Sequence, residues 1–151
     1  MGKKINVRAS NDQCMFQIFK QYVHQTDRNE FYVDGSSVRE NPGVIVDFQN
    51  LEHTYEIFEF LGNYWGGWNS TPKHNEMYEV TRRWEEVFEA EIFGIGYDFI
   101  EFKLGRHLSG NEIDALFDEI NELKAEPNCT GGFEELRSVI KEKSEFYIWW
   151  D

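Results

Sequence analysis

The chain closes on Phe146-Tyr147-Ile148-Trp149-Trp150-Asp151, and the reading of this stretch decides the architecture. Large aromatic and β-branched side chains in succession favour an extended, pleated strand. A strand this apolar at an exposed sheet edge would template aggregation. It is therefore expected inside a sheet, and the rest of the chain has to supply its neighbours and cover.

Upstream, Glu91 to Ile95 and Phe99 to Leu104 read as two strands joined across Gly96-Tyr97-Asp98, a turn with hairpin residues. In the second, Phe99, Glu101 and Lys103 alternate with Ile100, Phe102 and Leu104, so one face is expected to pack more deeply than the other. Val44-Ile45-Val46-Asp47-Phe48, after the Asn41-Pro42-Gly43 turn, is a further short strand, and Phe31-Tyr32-Val33 another. The first eight residues are polar and charged and carry no apolar core of a leader peptide.

Helices alternate with these strands. Met15, Ile18, Phe19 and Tyr22 recur at helical spacing over 11–25. Asn50 is placed to cap a helix with the stripe Leu51, Tyr55, Phe58 and Leu61, closed by Gly62. Pro72 precedes the longest helix, 73–89, with Met77, Val80, Trp84, Val87 and Phe88 on one face. Ser109-Gly110-Asn111-Glu112 fits a capping box, followed by Ile113, Leu116, Phe117, Ile120 and Leu123. A last helix from Thr130 carries Phe133, Leu136, Val139 and Ile140. The class is α+β, or mixed α/β: one sheet covered by helices, with the aromatic C-terminal strand inside it. At 151 residues a single domain, 1–151, is expected.

The charge balance restricts what such a domain binds. Residues 1–75 carry 7 basic and 9 acidic side chains (net −2), residues 76–151 carry 8 and 19 (net −11), and the whole chain is −13. A field of this sign repels phosphate backbones and disfavours nucleic acid, whereas it attracts and speeds the approach of a basic protein. Cys14 and Cys129 form no paired motif, and no apolar run approaches the roughly 18 residues of a membrane span. A cytoplasmic protein with no membrane partner is expected.

Reactive sets are absent from the pattern. His24, His53, His74 and His107 are scattered without metal-ligand spacing, there is no phosphate-cradling loop, and Gly94-Ile95-Gly96 lacks the third glycine and following helix of a dinucleotide site. No catalytic residue, metal or cofactor is assigned. Tyr64-Trp65-Gly66-Gly67-Trp68-Asn69 leaves two readings open: two indoles around a glycine pair either line a pocket or plug the end of the core. The candidate pocket comprises Trp65, Trp68, Asn69, Asp98, Trp149 and Trp150.

Trp65-Gly66-Gly67-Trp68-Asn69, Arg83-Trp84-Glu85 on a helix, Gly94-Ile95-Gly96-Tyr97-Asp98 before an alternating strand, and the closing Trp149-Trp150-Asp151 occur in an order and spacing that resembles the bacterial domain-of-unknown-function family 4253 over about residues 61–151. Residues 1–60 would then supply an N-terminal helix and strands packed on that part. Where such domains often carry Cys-Pro-Asp before the last helix, this chain has Glu126-Pro127-Asn128, with Cys129 one position on. The resemblance supplies no reaction, so function is argued from the residues. Two expectations follow. One is a non-enzymatic binder that neutralises a basic protein partner, as an immunity protein neutralises a toxin such as a nuclease, with Glu112, Asp114, Asp118, Glu119 and Glu122 as contacts. The alternative is a small-ligand domain or enzyme using the Trp/Gly-lined pocket.

Overall fold

The computed structural model describes residues 3–7, 30–32, 43–48, 51–62, 65–66, 70–96, 99–127 and 133–150. The strands are β1 (Lys3–Val7), β2 (Glu30–Tyr32), β3 (Gly43–Phe48), β4 (Ala90–Ile95), β5 (Phe99–Leu104), β6 (Glu126–Pro127) and β7 (Glu145–Trp149). The helices are α1 (Ile57–Leu61), entered through a 3-10 turn at Thr54–Glu56, α2 (His74–Phe88), α3 (Gly110–Glu122) and α4 (Phe133–Lys143). The predicted helix over 11–25 lies outside the described residues, as do the turn residues Tyr97 and Asp98.

The strands form one sheet in the order β2-β3-β1-β4-β5-β7-β6. The aromatic strand β7 therefore sits inside it, with β5 antiparallel on one side and the two-residue β6 on the other. The polar first residues belong to the centre of the sheet, where β1 runs antiparallel to β3 and parallel to β4. Too few apolar positions mark this strand in sequence, because its placement comes from pairing on both sides rather than from its own composition.

Cross-strand register assembles the core. Ile92, Phe102 and Phe146 face one another across β4, β5 and β7, with the Phe102 and Phe146 rings stacked at 4.9 Å. Trp84 of α2 sits over both, 5.3 Å from Phe102 and 6.1 Å from Phe146. Met77, Thr81, Trp84 and Phe88 are the buried stripe of α2. Val87, expected on that stripe, is 49% exposed instead. Thr81 takes a core position because its hydroxyl donates to the Met77 carbonyl at 2.6 Å, which satisfies a buried polar group locally.

The capping box forms as read: Ser109 Oγ accepts from the Glu112 amide at 3.2 Å and Glu112 Oε1 accepts from the Ser109 amide at 3.0 Å. The helix expected from Leu51 is shorter than its apolar stripe suggests. Leu51 to His53 are not helical, and helical turns begin only at Thr54. The Thr54 hydroxyl accepts from the amide of Ile92 at 2.8 Å, which ties this segment to β4 in place of an earlier helical turn.

Candidate functional site

The glycine-tryptophan segment follows α1. Gly62 leaves the helix at φ 52°, and Gly66 adopts φ 79° and bridges to Lys73. A Cβ at Gly66 would run into the Pro72 carbonyl oxygen, so the backbone passes too close there for any side chain. This close passage turns Trp65 inward. Its ring packs edge-on against Phe58 at 4.9 Å and Trp150 at 5.8 Å. Its indole N–H donates to the Gly96 carbonyl at 2.7 Å, while that of Trp150 donates to the Leu123 carbonyl at 2.9 Å.

Trp65 and Trp150 are each 1% exposed. Of the two readings of this segment, these two rings follow the plug: both indole donors are engaged by backbone and both rings are packed. Trp149, one strand position away, is half-buried on the opposite face of the sheet, in register with Phe99 and Glu126. Trp68, Asn69 and Asp98 lie outside the described residues.

Helix α3 presents its five acids unequally. Glu112 is drawn into the cap and into a two-pronged pair with Arg106, at 3.0 and 2.5 Å. Those bonds, Arg106 first and the Ser109 amide next, hold its carboxyl at about 2 against an ordinary 4.5. Asp114 pairs with Arg137 at 3.2 Å. Glu119 pairs with Arg83 and accepts from the Trp84 indole at 3.4 Å. Asp118 and Glu122 are exposed and make no ion pair among the described residues. Three of the five acids thus fasten α3 to the body, and two are left for contact.

A second constellation joins the segment before α1 to α2. His53 Nδ1 stands 2.7 Å from Glu85 Oε2. The His53 ring stacks on Tyr55 at 5.0 Å, and Tyr55 meets Tyr78 edge-on at 5.2 Å. Glu85 keeps only 14% of its side-chain surface exposed, and its other oxygen, Oε1, is buried without a hydrogen-bond partner. Burial pushes its carboxyl up and the neighbouring imidazole only partly pulls it back. Both phenols are also pushed up, by burial first, Tyr55 then by Tyr78, Glu85, Glu56 and Glu86 and Tyr78 by Glu59 and Glu56. Arg82 bridges Glu79 and Glu86 at 2.5 and 3.4 Å on the outer side.

Sequence reasoning placed His53 among scattered histidines. The helical half of the group was visible, since Tyr78, Arg82 and Glu85 follow one another at spacings of four and three. The other half was not, because the approach of His53 depends on the non-helical turn at 51–53. Among the described residues, no group of three histidines, cysteines or carboxylates is arranged to hold a metal ion.

The segments that meet at Trp65 and Trp150 are those on which the resemblance rests, and the model of a family described as "domain of unknown function (DUF4253)" matches residues 48–151. The chain belongs to the DUF4253 family. The DUF4253 segment begins earlier than position 61, so His53 and Tyr55 fall within it together with Glu85 and Tyr78. The edge strand Glu126–Pro127 pairs with β7 inside this segment, in the region of the departing triplet. No match is found among curated proteins or solved structures. No helix among the described residues of this DUF4253 protein is long and apolar enough to cross a membrane.

Proposed function

We propose that this protein is a cytoplasmic bacterial binder that holds and neutralises a basic protein partner, in the manner of an immunity protein against a toxin such as a nuclease. The observation that carries this reading is the concentration of −11 of the total −13 in residues 76–151, where Asp118 and Glu122 stand exposed on α3. Charge of this density speeds the encounter with a cationic protein, and tightness then comes from a few buried anchors. Helix α3 suits the role because Glu112, Asp114 and Glu119 fix it to the body through Arg106, Arg137 and Arg83. A helix so fastened presents its remaining acids in a set geometry.

The alternative of a small ligand seated between the tryptophans finds less support. The indole N–H groups of Trp65 and Trp150 already donate to backbone carbonyls, so neither is available to orient a guest.

The reading is tested by affinity capture from the native host on the full-length chain, with stepwise salt elution and mass spectrometry. The expected result is one basic protein released by salt, whose activity the chain suppresses. An acidic partner, or no partner, overturns it.

A further inference from the structure

We propose that Tyr55 and Tyr78, backed by Glu85 and rimmed by Glu56 and Glu59, form the seat for an arginine side chain of the basic partner. This rests on the binder reading above and adds a location away from α3.

The corner already accommodates a guest of related shape from within the chain. The flat imidazole of His53 stacks on Tyr55 at 5.0 Å with an interplanar angle of 15°, and its nitrogen meets Glu85 at 2.7 Å. A guanidinium has the same two requirements, a ring face to lie on and a carboxylate to receive its N–H groups. Tyr78 supplies a second ring, 5.2 Å from Tyr55. The arginine would take the place of the half-exposed His53 ring, which now holds Glu85 Oε2, while Glu85 Oε1 stays buried.

Charge complementarity defines the occupant. Arg82 already neutralises Glu79 and Glu86, and Lys3 is paired with Glu91 at 3.4 Å. Glu56 and Glu59 have no lysine or arginine partner among the described residues, and Glu56 accepts only the Glu52 amide, at 3.1 Å. Two half-buried phenols beside carboxylates without a cation match an anchor that is planar and positive. Lysine meets the charge alone, because its ammonium has no plane to stack. Tyrosine and arginine are also the residue types that concentrate binding energy at interfaces.

The test is a backbone-amide NMR titration of the full-length chain at low salt with acetylated, amidated tetra-arginine, and in parallel with tetra-lysine. Expected are shifts centred on residues 53–59 and 75–86, and an arginine peptide bound about threefold or more tighter than the lysine peptide. Tyr78→Leu and, separately, Glu85→Gln should abolish that preference, and Glu134→Gln with Glu142→Gln, at exposed acids of α4, should leave it intact. Two folded variants at different positions keep the outcome readable if one of them fails to fold. Shifts centred on 110–122, or equal affinities for the two peptides, overturn the seat and leave the acidic binder standing. No saturable binding of either peptide contradicts both.

Discussion

His53 Nδ1 lies 2.7 Å from Glu85 Oε2, linking the turn before α1 to the inner edge of α2. The pair is close, yet it does not make Glu85 an ordinary carboxylate. Burial raises it and His53 offsets only part of that rise. A carboxyl raised in the folded state is penalised when ionised, so its contribution is lost as pH climbs through the folded value. Glu85→Gln is therefore expected to leave stability at pH 7 within about 1 kcal/mol of the parent, although the carboxylate contact to His53 is lost. It should also flatten the stability curve above the ordinary carboxylate range. Urea unfolding from pH 4 to 8 measures both, and a loss above about 2 kcal/mol at pH 7 would show that the pair outweighs the burial cost.

Glu112 has the opposite sign. Its carboxyl is held down to about 2 by Arg106 and the Ser109 amide, so its contribution is present above the ordinary value of 4.5 and is lost as pH falls through the folded one. Glu112→Gln should lower stability at pH 7, and the gap to the parent should close between about pH 4 and pH 2. A gap independent of pH would mean that side-chain packing, rather than the charge, supports the cap.

Trp65→Phe retains most of the ring packing against Phe58 and Trp150 and removes the donor to the buried Gly96 carbonyl. The expected cost is about 1 to 3 kcal/mol, that of a buried acceptor left without its partner. Thermal unfolding checks it. An unchanged midpoint would return the indole to the role of a ligand donor.

The sequence made much of this arrangement readable, and the particular residues show why. The alternation through Ile100, Phe102 and Leu104, the Ser109 to Glu112 box and the aromatic run at 146–150 are local patterns, and local patterns survive into the fold. The central position of Lys3–Val7 was hidden because sheet order depends on pairing partners distant in sequence. For the same reason the acids of α3 looked equivalent in sequence. Only the approach of Arg106, Arg137 and Arg83 separates Glu112, Asp114 and Glu119 from Asp118 and Glu122. Trp65 was legible as one of two alternatives, and the choice needed the position of Gly96.

Gly66→Ala tests the close passage that turns Trp65 inward. At φ 79° a Cβ is strained, and here it meets the Pro72 carbonyl as well, so a loss of at least about 2 kcal/mol is expected. Chemical denaturation measures it. A loss below about 1 kcal/mol, the cost of the backbone conformation alone, would mean that the 66–72 segment yields without penalty.

The central claim is that an acidic surface draws in a basic protein, and it is tested most directly by the salt dependence of association. Stopped-flow mixing of the full-length chain with its captured partner should give a rate constant that falls about tenfold or more from 50 to 500 mM salt, with dissociation changing far less. A rate constant that stays level across that range would contradict the account.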